Sequence, residues 1–322
     1  MKDLLQDVQI MHPRFDAAWH RLHEVIELVP AGEGAIIPLL GPTRCGKTRL
    51  LKQLREQSGR EARGDGVLFP ECDVALGAIT AKPTEGDLYR AILRGLGHRV
   101  RPKERDRDLR ERACQTIADQ GTRIVCLDEI SHCAELGANL TKRSATDHLK
   151  ALVDRTGIIL ILSGLPKFEK LIQENEQFRD RAMRTIDLHP YQWSESQDRD
   201  DFVSGLFPLY NAIVEGGYEI EMDMVDLIRR LYGASGGRIG VVVRMLRSVL
   251  RLSTSDRRLS RLDFEAGEER IFQRREHLPR MFGAEEPTDL DLERAYVSVM
   301  QEADLPIRAA SIQTVRAVRS AA

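Results

Sequence analysis

Eight consecutive residues, Gly41-Pro42-Thr43-Arg44-Cys45-Gly46-Lys47-Thr48, carry the pattern G-x-x-x-x-G-K-T. Glycines at that spacing let a backbone curl until its N–H groups, and the N-terminus of the helix that follows, face phosphate oxygens. Thr43, Arg44 and Cys45 supply loop amides beside Pro42, Lys47 reaches the β- and γ-phosphates of a nucleotide, and Thr48 offers its hydroxyl to Mg²⁺. Arg49 follows on the same helix and is counted with the loop. The bland alternative is a glycine turn with an incidental lysine. An apolar run before the motif and a helical pattern over 48–57 after it favour the phosphate loop.

A second site lies eighty residues on. Ile124-Val125-Cys126-Leu127-Asp128-Glu129 is an apolar strand ending in two adjacent carboxylates. At a strand's C-terminal end Asp128 can hold Mg²⁺ with Thr48, and Glu129 is placed to take a proton from an attacking water. An aspartate without the glutamate would suit phosphotransfer; the pair favours hydrolysis. The alternative is a strand followed by a solvated acidic turn.

These residues must be held by an alternating scaffold. Apolar strands are expected at 35–40, 67–69, 123–127, 157–162 and, weakly, 185–188, with helices between them, one opening on the capping-box-like Thr84-Glu85-Gly86-Asp87. Short buried strands separated by helices imply an α/β fold, a parallel sheet covered on both faces. Pro38 is awkward within its strand, because proline donates nothing to a ladder. An amphipathic helix at 13–29 precedes the sheet. After Tyr191 the strands stop, and helical patterns at 224–231, 239–252 and 263–275 indicate a small helical domain. The expected organisation is an N-terminal helical segment (1–30), a nucleotide-binding core (31–190), a helical lid (191–282) and a C-terminal tail (283–322) without clear periodicity.

Composition narrows the function classes. The chain has 322 residues, 42% of them hydrophobic and 30% charged, with a net charge of −2. That excludes a generally cationic nucleic-acid coat but not a local basic stripe. The longest aliphatic run, Ile158–Leu162, is far short of a membrane span. The five cysteines form no C-x-x-C pair, and the N-terminus lacks a secretory core, so a cytoplasmic protein with reduced thiols is expected.

The phosphate loop and acidic pair in this order resemble the AAA+ ATPases. Further segments resemble one family of them, TniB: His12-Pro13-Arg14-Phe15, Leu39-Leu40-Gly41, Gly86 to Leu93 followed by Leu96-Gly97, Cys126 to His132, and Leu162-Ser163-Gly164-Leu165-Pro166. These are AAA+ regulators of DNA transposition, relatives of TnsC and MuB. The resemblance implies a P-loop αβα sandwich with a helical lid, which uses ATP and Mg²⁺. It places Ser163 as the polar sensor after the next strand, where most members have Asn or Thr. Arg238, in Gly236-Gly237-Arg238, takes the place of a second sensor. The arginine that completes a neighbour's site is Arg181, with Arg184 second, although Ala182-Met183 stands where the family commonly reads Arg-Phe. The alternative for this cluster is a solvated helix face.

The family further implies a homo-oligomer, ring or filament, on double-stranded DNA that recruits and activates a transposase. Seven cations between Arg99 and Arg112, among them Arg101, Lys103 and Arg105, are the candidate DNA contacts, with Lys142-Arg143 next. Four interleaved acids offer the alternative of a salt-bridged solvated helix. Two rivals remain: an ATP switch that binds only protein partners, and a metabolic phosphotransferase.

Overall fold

The computed structural model describes residues 4–5, 8, 10–58, 72–101, 104–134, 142–252, 257–272 and 278–307. The chain divides into two compact units: Ala17–Thr43 with Lys47–Leu188, and Met1–Asp16 with Arg44–Gly46 and His189–Ala322.

Helix α1 (Pro13–Leu28) opens the chain. The first unit then runs β1 (Ala35–Leu40), α2 (Lys47–Ser58), β2 (Val74–Ala78), α3 (Glu85–Gly95), α4 (Asp106–Asp119), β3 (Ile124–Asp128), α5 (Lys142–Thr156), β4 (Ile159–Gly164), α6 (Phe168–Glu174), α7 (Glu176–Arg179) and β5 (Ile186–Asp187). The five strands form one parallel sheet in the order β2-β3-β4-β1-β5. Every residue of β1, β3 and β4 is buried. Successive side chains point to opposite faces, so both faces are covered, as the unbroken apolar runs require. The core joins Ile36, Val125, Leu127, Leu160 and Leu162 to Leu88, Ile92, Leu149 and Phe168 from the helices.

Two elements differ from expectation. The strand expected at 67–69 falls outside the described residues, and β2 lies at Val74–Ala78, where Gly77 interrupts the apolar signal. Pro38 is tolerated because its missing N–H faces a break in pairing. Ile36 N–H donates to the Arg181 carbonyl and Leu40 C=O accepts from Leu188 N–H, so even-numbered positions of β1 face the β5 side. There Ile36 is bridged to Ala182 and Leu40 is paired with Asp187. One extra residue is thus accommodated opposite Pro38, a bulge that needs no donor.

The second unit holds α8 (Ser196–Glu215), β6 (Glu219–Ile220), α9 (Met224–Ser235), α10 (Ile239–Leu252), β7 (Arg258–Leu259), α11 (Arg261–Ile271) and α12 (Asp289–Glu302). It packs Phe202, Leu227, Leu231, Tyr232, Val249, Phe264 and Phe282 into one apolar core. Strands do not quite stop after Tyr191, since β6 and β7 pair over two residues each. Helix α11 ends at Ile271, short of the expected boundary. Part of the region read as an aperiodic tail is helix α12, opened by a capping box in which Thr288 and Asp291 bond each other's backbone. Leu292, Ala295, Val299 and Met300 give it a buried face that its acidic residues disguise in the sequence. Residues 308–322 lie outside the described residues.

Candidate nucleotide-binding site

The phosphate loop leaves β1 at Gly41 and enters α2 at Lys47. A Cβ on Gly41 would lie 2.3 Å from the Leu188 carbonyl oxygen, so only glycine fits where the loop starts. Lys47 Nζ donates to the carbonyls of Gly41 at 2.7 Å and Pro42 at 2.8 Å, curling back over the loop. The first turn of α2 carries no acid. Its positive dipole end therefore favours an anion. These features fit a polyphosphate.

Asp128 ends β3 and is 6% exposed. One carboxylate oxygen accepts the Thr48 hydroxyl at 2.6 Å. The other accepts the Ser163 hydroxyl at 2.7 Å and the Glu129 N–H at 3.0 Å. A carboxylate and a hydroxyl from two elements, meeting beside a phosphate loop, form the hard-oxygen donor set that Mg²⁺ takes. Glu129 is exposed and has a φ of +59°, a conformation that non-glycine residues rarely hold. It turns the chain from β3 into the 3₁₀ turn Ile130–Ala134, its carbonyl accepting the His132 N–H at 3.2 Å. Complete burial, then the Asp128 charge, push the Cys126 thiol well up, which leaves it a protonated filler in the strand.

The arginines differ in their surroundings. Arg181 pairs with Asp154 of its own chain and donates to the Gln177 carbonyl at 3.2 Å. Arg184 is exposed and makes no ion pair among the described residues. Arg238 is 8% exposed, with its Nε donating to the Ser235 carbonyl at 2.9 Å. Before it Gly237 has a φ of +78°, and a Cβ there would lie 2.1 Å from the Tyr191 carbonyl oxygen. That crowding fixes the entry to α10.

A network joins residues 179 positions apart in the second unit. His12 Nδ1 and the Tyr191 hydroxyl lie 2.7 Å apart, and Tyr191 also accepts the Arg14 N–H at 3.0 Å. Since the Phe15 N–H donates to the same Nδ1 at 3.3 Å, that nitrogen is the acceptor and Tyr191 donates. The Arg14 guanidinium stacks 4.6 Å from the Tyr191 ring and pairs with Asp198. Burial, then the Arg14 charge, lower His12 to about 4. Phe15 reaches the loop itself: a Cβ on Gly46 would meet its ring at 3.4 Å. The motif His12 to Phe15 is visible in the sequence, but its partner Tyr191 is not.

In the basic segment Arg112 donates to both Glu104 carboxylate oxygens, at 2.6 and 2.7 Å, and to the Arg99 carbonyl at 2.7 Å, and Arg107 lies 3.6 Å from Glu111. Arg99, Arg101 and Arg105 are exposed and make no ion pair among the described residues. Lys103 lies outside those residues, as does the Lys142 side chain; Arg143 is exposed.

Solved structures with this fold include Cdc6p from Pyrobaculum aerophilum, 14% identical, at a TM-score of 0.61 over 98% of this chain and 88% of that one. The Aeropyrum pernix ORC2 protein in ADPNP–ADP complexes is also 14% identical, with a TM-score of 0.56 over 99% and 89%. Drosophila ORC bound to DNA is similar at 14% identity and a TM-score of 0.55, over 99% and 80%. No curated protein matches. The family model described as bacterial TniB protein matches residues 1–192. A parallel five-stranded sheet with a phosphate loop after β1, an acidic pair after β3 and this match lead to one conclusion: the chain belongs to the TniB family, on the fold of the AAA+ ATPases.

Proposed function

We propose that this AAA+ ATPase binds and hydrolyses ATP with Mg²⁺, assembles in its ATP state on double-stranded DNA, and there recruits or activates a transposase. The observation that carries the reading is the Asp128 carboxylate, which holds Thr48 of the phosphate loop and Ser163 of β4 at once. Mg²⁺ bound there neutralises phosphate charge. Thr48 and Asp128 supply its protein oxygens. Lys47 exchanges loop carbonyls for phosphate oxygens, and the loop amides orient the chain of phosphates. Glu129 takes the proton of the attacking water. Ser163, on the far oxygen of Asp128, and Arg238 are the residues that register the nucleotide's state. Arg184, exposed and unpaired among the described residues, completes a neighbour's site more readily than Arg181, which would first have to leave Asp154.

Support for DNA comes from the family and from the similar ORC structure described as DNA-bound. The ion pairs of Arg107 and Arg112 favour the rival of a switch that binds only proteins. One experiment separates them. Glu129→Gln should bind ATP without turnover, and Lys47→Ala should not bind it. With ATP, Glu129→Gln should hold unrelated duplexes with affinity that falls steeply with salt. Reversing Arg101 and Arg105 to glutamate should flatten that slope. An assembled, ATP-bound protein with no DNA affinity at low salt would establish the rival.

A further inference from the structure

An apolar side of helix α8, within the second unit, is left open. Val203, Phe207 and Tyr210 recur at helical spacing and, with Ile220, Met224 and Ile228, wall an apolar groove floored by the core of that unit. Phe207 is 54% exposed and Met224 36%, while Val214, 46% exposed, continues the stripe of α8. Large apolar side chains gathered in this way mark a surface that another segment covers. The charge around the groove has one sign. From Asp200 to Ile228 the sequence holds seven acids and no lysine, arginine or histidine. Several of them are engaged: Arg258 pairs with Glu219 and Glu221, Arg230 pairs with Asp226, and Asp223 caps α9. Asp200, at the head of the apolar stripe, and Glu215, at its end, are exposed and make no ion pair among the described residues. An apolar groove between two such carboxylates suits a basic segment with apolar anchors.

The chain itself carries one. Residues 308–322 include Arg308, Arg316 and Arg319 and no acid, with Ile312, Val315 and Val318 at every third position. The described chain stops close to the groove. Leu305 and Ile307 pack on Tyr296, Val297 and Met300 of α12. Helix α12 in turn lies against α9, since a Cβ on Gly233 would stand 3.0 Å from Leu292 and one on Gly236 2.6 Å from Val299. The same helix α9 supplies Met224 and Ile228 to the groove, so Ile307 leaves a helix one layer away from it. A segment of this length spans up to roughly 50 Å when extended, more than enough to cross α9. We propose that residues 308–322 dock in the groove of their own chain, with Ile312, Val315 and Val318 on Phe207 and Met224 and the arginines beside Asp200 and Glu215. While it is docked the groove is closed to any other basic apolar segment, and a partner that uses this face has to displace it.

The test places the photo-crosslinker p-benzoylphenylalanine at Thr314 of the full chain, which leaves the three apolar anchors and the arginines intact. Irradiated at a concentration where the protein is monomeric, the chain should crosslink within itself, and peptide mass spectrometry should place most of the product on residues 203–228. Phe207→Asp should cut that yield roughly fivefold or more, as the loss of one aromatic anchor does. Reversing Arg316 and Arg319 to glutamate should cut it similarly while leaving α8 untouched, so the proposal stays testable even if Phe207→Asp disturbs folding. Crosslinks spread over other surfaces, or a yield unchanged in both variants, would overturn the docking. A product the size of two chains, with the groove of one joined to the segment of the other, would also overturn it, because the occupant would then come from a second copy.

Discussion

His12 shows how a single side chain can set the acid tolerance of a unit. Its value of about 4, against an ordinary 6.5, means that the native state declines a proton which the unfolded chain accepts. Between those values the unfolded state binds more protons, so this contribution is complete above pH 6.5 and lost as pH falls toward 4. From pH 7.5 to 5 the loss is ~2 kcal/mol. His12→Asn keeps an acceptor for Tyr191 and removes the titration. Chemical denaturation at the two pH values should show the variant losing ~2 kcal/mol less than the parent; equal losses would place the acid sensitivity elsewhere. The residues that sequence brings into view are those whose chemistry is local. Gly41 to Thr48 and Asp128-Glu129 are legible because their roles depend on spacing along the chain. Tyr191 is not, because only the fold brings it to His12. Arg44 is visible in the sequence only as a loop position; its left-handed backbone, with a φ of +64°, needs the structure.

At the scale of elements, strands with unbroken apolar runs are legible, since a short run apolar at every position suits a strand covered on both faces. Elements with mixed signals are not. Gly77 hides β2, and the alternation of Asp and Leu at the start of α12 hides a helix that its cap declares. Thr288 Oγ1 donates to Asp291 at 2.6 Å and accepts the Asp291 N–H at 3.3 Å. Because Leu292 and Ala295 belong to the core of the second unit, fraying of this first turn reaches beyond the helix. Thr288→Ala should cost about 1 kcal/mol, read as a lower melting temperature. An unchanged melting temperature would mean that the packing of α12 holds without its cap.

For the whole molecule, the decisive question is whether one copy suffices. A net charge of −2 gives no global field for DNA, so the DNA binding proposed above requires a local stripe repeated by assembly. The same logic applies to hydrolysis if an arginine of one copy serves the Glu129 of another. Arg184→Ala and Glu129→Gln proteins should then be inactive alone and regain phosphate release when mixed, at interfaces that pair an intact Arg184 with an intact Glu129. The loss in Arg184→Ala should be ~10³-fold. Recovery with Arg181→Ala in place of Arg184→Ala would move the role three residues back; no recovery in either mixture, with assembly intact, would assign both arginines to their own chain.

Pro38 has a consequence for time as well as for space. The amides flanking the bulge are fixed, Met183 N–H by the Ile36 carbonyl at 2.8 Å and Leu188 N–H by the Leu40 carbonyl at 2.8 Å. Between them the Arg184 N–H makes no backbone hydrogen bond among the described residues, and Pro38 has no N–H to offer the stretch's carbonyls. The Arg184 amide should trade hydrogen for deuterium well ahead of those of Met183 and Leu188, on the timescale of local opening. A side chain on such a stretch can search for a neighbour without disturbing the sheet. Pro38→Val, by restoring a donor, should slow both the exchange and the search. If Arg184 serves a neighbouring copy, a buried imino acid in the middle of the sheet sets how freely that arginine can move.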